Sequence, residues 1–166
     1  KRERKPKDKW HLDEMNVKVN GEKFILWRAV DCDGYELDVF LQKHRNKQSA
    51  IRFLIRLLKS YPCPRVIVTD KLRSYRKPIQ IMCRGTQHRS HKGLNNRAEN
   101  AHLPTRRKEK CLIKFKSPQG VQRTLSLMGK VRNLFAINVG RNLKKASARR
   151  EAFKAACTIW FEAAQG

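Results

Sequence analysis

The segment WHLDEMNVKVNGEKFILWRAVDCDGYELDVFLQ, residues 10–42, leaves few folds open. Apolar residues recur at alternate positions along it, the side-chain period of a β-strand. Asn20-Gly21 interrupts the pattern, and that dipeptide suits a tight hairpin whose two central residues both need positive φ. Residues 31–34, DCDG, form a second turn signal. Three strand-like runs joined by two tight turns make an antiparallel meander: one from Trp10, one over Lys23–Asp31 and one ending at Gln42. In the first run, His11, Asp13, Met15, Val17 and Val19 share a face, while Leu12, Glu14, Asn16 and Lys18 share the other. Asp13 thus falls on the more apolar face, where a carboxylate needs a partner, a metal ion or a raised pKa. Asp31 and Asp33 read as turn formers, and Asp38 is expected on the solvent side of the third strand, opposite Leu37, Val39 and Leu41.

The next elements change the period. Asn46 is a suitable cap for a helix over residues 47–60, whose Ala50, Phe53, Leu54, Leu57 and Leu58 fall at helical spacing before YPCP ends it. Val66, Ile67 and Val68 form a short continuous apolar run, as in a strand covered on both faces. Strand, helix, strand implies a crossover and a parallel neighbour. That run stops at Asp70, and open α/β sheets gather ligands at the carboxyl ends of such strands. A short helix is expected around Pro78 to Cys83, a short strand near His88, and a helix carrying Glu99 capped by Asn95 or Asn96. Residues 111–117 read as a short extended piece. A helix follows from Pro118, with Val121, Leu125, Met128, Val131, Leu134 and Phe135 on its apolar face. This suggests an α/β domain over 10–145, a basic arm over 1–9 and a C-terminal amphipathic helix over 146–166 packed on the domain. The opening KRERKPKDK, without an initiator Met, reads as a linker entered mid-protein.

Charge narrows the function classes. The 166 residues carry 39 Lys+Arg against 14 Asp+Glu, a formal net charge of +25. Such a surface binds polyanions, and nucleic acid is the leading candidate because many phosphates need many cations. A membrane partner is disfavoured, since no apolar run approaches about 18 residues. The five cysteines are scattered without a CxxC pair, which points to neutral thiols in a reducing cytosol rather than a disulfide framework or a zinc site. Trp10 and Trp27 read as core residues rather than base-stacking platforms.

Three carboxylates stand out: Asp13 in the first strand, Asp70 at the end of the fourth and Glu99 on a later helix. If the two strands are neighbours, Asp13 and Asp70 approach each other, and a helix across the sheet can add Glu99. Clustered carboxylates repel unless cations sit among them. Hard oxygen ligands suit Mg²⁺, with Mn²⁺ as the alternative, and two such ions serve in-line phosphoryl transfer.

WHLDEM, WRAVDCDG, RVIVTDKLRSY and NNRAENAH occur in this order. With them the chain resembles the catalytic domain of DDE transposases, most closely the insertion-sequence-six family of bacterial mobile elements. The resemblance runs from about Lys9 to the C-terminal helix. It implies a ribonuclease H-like α/β fold, a mixed sheet of about five strands in which the antiparallel meander adjoins parallel strands, flanked by helices. It also implies that Asp13, Asp70 and Glu99 are catalytic and hold two Mg²⁺ ions, and that the chain cleaves and transfers DNA strands. Arg106 matches the basic residue that the family places seven after its catalytic Glu. Seven residues turn a helix by about 700°, so Arg106 shares the face of Glu99 for contact with DNA phosphate. His102 shares that face, Pro104 intervenes, and Arg97 and Arg107 extend the basic patch. Lys71, Arg73 and Tyr75 read as a DNA-facing loop. The implied partners are element ends and target DNA, bound by a homodimer or larger assembly, in the bacterial cytoplasm at the nucleoid. The family's N-terminal helix-turn-helix region is not recognised in these residues. Two alternatives stay open: a ribonuclease H-like nuclease that only hydrolyses, and an inactive remnant or basic nucleic-acid-binding module.

Overall fold

The structure, a computed structural model, describes residues 5–70, 73–90, 115–135 and 146–165. The alternating segment forms β1 (Lys9–Val19), β2 (Glu22–Asp31) and β3 (Glu36–Gln42), an antiparallel meander. Asn20 and Gly21 both have positive φ, 48° and 84°, as their hairpin requires. Helix α1 (Lys47–Ser60) starts where Asn46 Oδ1 accepts from the Ser49 N–H at 2.9 Å. It carries the chain across the sheet to β4 (Val66–Thr69), which pairs with β1 in parallel. A 3-10 turn (Arg73–Tyr75) leads into α2 (Arg76–Met82), and β5 (Gln87–Ser90) adds a second parallel pairing. The sheet order is β3-β2-β1-β4-β5. Helices α3 (Pro118–Phe135) and α4 (Ala146–Gln165) complete the described elements.

The sheet is covered on both faces, so two apolar clusters share it. Trp10, Leu12, Trp27, Phe53, Leu57, Tyr75 and Ile79 fill the α1/α2 side. Met15, Val17, Leu26, Val39, Val121 and Leu125 fill the α3 side. Trp10 and Trp27 are core residues, as expected. Asp38 departs from expectation. The register shifts at Ala29/Val30. Leu37 therefore joins the α1 cluster, while Val39 and Leu41 pack under α3. Asp38 is only partly exposed and pairs with Arg56 of α1, because the face read as solvent is covered by that helix.

β3 is an edge strand, and α3 caps its open edge with side-chain amides. Gln122 accepts from the Leu41 N–H and donates to the Val39 carbonyl, both at 2.8 Å. Asn133 accepts from the Glu36 N–H at 2.9 Å and donates to the Glu36 carbonyl at 2.7 Å. Main-chain groups that would template another strand are thereby occupied. Gly129 permits this close approach, since a Cβ there would lie 1.6 Å from Glu36 Oε1. Phe135 at the end of α3 meets Phe153 and Trp160 of α4 at ring-centroid distances of 5.9 and 6.3 Å.

Candidate active site

The parallel pairing of β1 and β4 aligns Leu12 with Thr69. Asp13 and Asp70 are the next residues on the two strands. Neighbouring strands lie about 4.8 Å apart, so the topology brings these two carboxylates to one place in the sheet. Asp13 is buried and sits opposite Arg28 in the β1–β2 register. Asp70 follows the last residue of β4, where pairing ends, and its side chain is 39% exposed. Thr69 just before it is buried, and its hydroxyl donates to the Asp70 carbonyl and lies 2.9 Å from His88 Nε2. Burial, with help from the Arg76 charge, lowers the His88 pKa.

A third acid stands beside the pair. Glu14 has a side chain only 1% exposed. Burial pushes its carboxyl up to about 7; the Arg45 hydrogen bond opposes the shift, and the charges of Asp70 and Asp13 add to it. Arg45, in the connection between β3 and α1, donates from Nε to Glu14 Oε1 at 2.8 Å and from Nη2 to the same oxygen. Its Nη2 also lies 3.6 Å from Asp70 Oδ2. Partial burial pulls the Arg45 pKa down, but the Glu14 bond and the charges of Glu14, Asp70 and Asp13 leave it raised. Glu14 Oε2 is buried, with no hydrogen-bond partner among the described residues.

Tyr75 corrects the sequence reading. It is fully buried, packed edge-on to Trp27 with ring centroids 5.4 Å apart, so it is a core residue and not part of a DNA-facing loop. Its apolar ring sits on the same side as Trp10 and Leu12, where burial outweighs any gain from contact with water. Burial raises its phenol pKa well above the usual value, and the charges of Glu14, Asp13 and Asp70 add to the shift. The backbone of Arg73 lies in the 3-10 turn. Lys71, Arg97, Glu99, His102, Arg106 and Arg107 lie outside the described residues.

Glu14 and Arg45, which stand beside Asp70, and Arg28, which sits opposite Asp13, are not singled out by the sequence. Glu14 shares its strand parity with Trp10 and Leu12, and those two neighbours mark a buried face. Arg45 stands in the basic run QKHRNK and carries no local signal. Arg28 faces Asp13 only through strand register. Among the described residues no three His, Cys, Asp or Glu side chains lie close enough to hold a metal ion. Asp13 and Asp70 provide two hard oxygen donors of the kind that Mg²⁺ and Mn²⁺ take. Among the described residues no helix is long and apolar enough to cross a membrane.

The chain is 33% identical over 107 residues to the transposase for insertion sequence-like element IS431mec of Staphylococcus aureus, covering 61% of this chain and 48% of that protein. The match to the transposase for insertion sequence element IS257 in transposon Tn4003, also from S. aureus, has the same identity and extent. The chain thus spans about half the length of these curated relatives. Among solved structures, the HTLV-2 integrase catalytic core domain in complex with magnesium aligns with a TM-score of 0.56 at 20% identity, covering 82% of this chain and 92% of that one. The catalytic core domain of BIV integrase aligns with a TM-score of 0.57 at 15% identity, covering 92% and 98%. These likenesses establish the ribonuclease H-like integrase-core fold. Residues 7–138 match the family model for the IS240-type DDE domain, and the chain belongs to that family of transposase domains.

Proposed function

We propose that this chain is the catalytic domain of an insertion-sequence transposase that cuts DNA at element ends and joins the freed ends to target DNA, using Asp13, Asp70 and Glu99 as metal-binding carboxylates. The observation that carries the reading is the placement of Asp13 and Asp70 just past the last paired residues of two adjacent parallel strands. Family membership and the magnesium-bound integrase core support divalent-metal use. When bound, two such ions polarise the attacking oxygen and stabilise the leaving one. The protein contributes a rigid sheet that orients the carboxylates and a basic surface that holds the strand. Lys71, Arg73, Arg97, His102, Arg106 and Arg107 serve as phosphate contacts, which fix register on the duplex without reading sequence. Cleavage by water frees a 3′-hydroxyl, and that hydroxyl attacks a phosphodiester of the target with no covalent link to the protein. Two element ends must be held together, and a dimer or larger assembly of the chain does this, in line with the intasome form of the simian T-cell lymphotropic virus neighbour, whose TM-score is 0.60.

The test is a strand-transfer assay on paired element-end DNA with Mg²⁺. Wild type is expected to give joined products. Asp13→Asn, Asp70→Asn and Glu99→Gln are each expected to fall to background while retaining DNA binding and the native circular dichroism spectrum. Hydrolysis without joining would identify a nuclease instead. Equal activity in wild type and Asp70→Asn would sink the three-carboxylate site.

A further inference from the structure

Arg45 sits one residue before the α1 cap Asn46, in a connection held at both ends. Asn46 binds the Ser49 N–H on one side, and Gln42 Nε2 donates to the Ser49 carbonyl at 2.8 Å on the other. The connection that carries Arg45 is therefore anchored on both sides. That side chain touches two carboxylates unequally. Two of its donors reach Glu14 Oε1, whereas Nη2 stands 3.6 Å from Asp70 Oδ2, beyond ordinary hydrogen-bond length. The Glu14 side chain is 1% exposed, while those of Asp70 and Arg45 are 39% and 47% exposed. One end of the bridge is dry and doubly bonded. The other is wet, loose and easily screened.

A cation between two carboxylates cancels the repulsion that a divalent ion would otherwise cancel. We propose that Arg45 is a positioning residue that stands in for a divalent cation beside Asp70: it holds Asp70 in the metal-free protein and releases it when metal binds, staying anchored on Glu14. This rests on the reading of Asp70 as a metal ligand. The unequal contacts give the direction of the exchange. The Asp70 contact is the weaker one and breaks first, and the Glu14 contact keeps the guanidinium at the site instead of in solvent. Released from Asp70, the guanidinium keeps its exposed edge close to the carboxylates, where it adds positive charge for a phosphodiester.

Calorimetric titration of Mn²⁺ into the full chain tests this without any DNA reaction. Removing the competing cation in Arg45→Ala is expected to tighten Mn²⁺ binding by about three- to fivefold, the weight of a partly exposed ion pair. Arg45→Gln keeps a donor for Glu14 but no charge and is expected to tighten binding to the same degree, so it replaces the Ala variant if that one folds poorly. Arg45→Lys keeps the charge and is expected to bind Mn²⁺ as wild type does. The metal-induced rise in Tm should be larger in the neutral variants. Unchanged or weakened Mn²⁺ affinity in both neutral variants overturns the inference, and so does an equal loss of Tm with and without metal. The Asp70→Asn variant separates this from the underlying reading. If it binds Mn²⁺ as wild type does, the metal site itself is misassigned. If it loses Mn²⁺ while the neutral Arg45 variants match wild type, the Arg45 inference alone fails.

Discussion

Beneath α3, the buried Glu36 carboxylate meets Arg28 at 3.2 Å and Arg132 at 3.5 Å. Across the sheet, the buried Glu14 side chain is held by Arg45 through one oxygen, and its other oxygen has no hydrogen-bond partner among the described residues. Burial raises the pKa of both acids. They differ in what surrounds them. Arg28 and Glu36 are sealed together under a helix that also clamps the β3 edge, and Gly129 leaves room for the contact. Arg45 is half exposed and also approaches Asp70. The α3 side uses buried charge to fix a helix in place. The α1 side places it beside the partly exposed Asp70. Burial of a charge alone therefore does not distinguish the two faces; the exposure of its partner does.

The largest effect should come from the closed side. Glu36→Ala removes the carboxylate that the buried Arg28 meets at 3.2 Å and is expected to cost about 3–5 kcal/mol in urea unfolding. The contrast between the faces predicts a smaller loss for Glu14→Ala, because Arg45 can turn to water. Equal losses would dissolve the comparison.

The next effect is a pH dependence on the open side, measured with a chelator present. An unfolded Glu ionises near pH 4.5, whereas Glu14 in the folded protein keeps its proton to about 7. Across that window the folded state binds the extra proton, so its stability falls as pH rises from 4.5 to 7 and levels off above. The fall attributable to Glu14 is roughly 3 kcal/mol. Glu14→Gln should remove that share of the slope in thermal melts taken at successive pH values. An unchanged slope would mean that Glu14 is not the group responsible.

The smallest effect concerns Tyr75. Its hydroxyl is buried, with no hydrogen-bond partner among the described residues. Tyr75→Phe should therefore be neutral or stabilising by up to about 1 kcal/mol, since removing an unsatisfied group relieves its desolvation penalty. DNA affinity in a filter-binding assay should not change. A clear loss of affinity would restore Tyr75 to the DNA-facing role that its burial argues against.

Local patterns made much of the fold legible. The Asn20-Gly21 hairpin, the Asn46 cap, the continuous Val66–Val68 strand and the Pro118 helix start all depend on residues close in sequence. The same patterns placed Asp13 inward and Asp70 at a strand end. They failed where one extra residue changes parity. The β2–β3 register shift moved Leu37 to the α1 cluster, and nothing in ELDVFLQ announces it. They also failed where a side chain's surroundings come from distant segments, as with Tyr75 under Trp27 and Asp38 under Arg56.

By itself, the sequence determined the elements, the order of the strands in time along the chain and the residue types able to hold a divalent ion. Periodicity and turn chemistry are near-neighbour effects, so they can be read from the linear chain. Only the tertiary structure decided that β4 lies beside β1, that α1 and α3 cover opposite faces, and that Arg45 bridges Glu14 and Asp70. Those contacts join residues 25 or more positions apart, and they exist because the sheet's two apolar faces must each be buried.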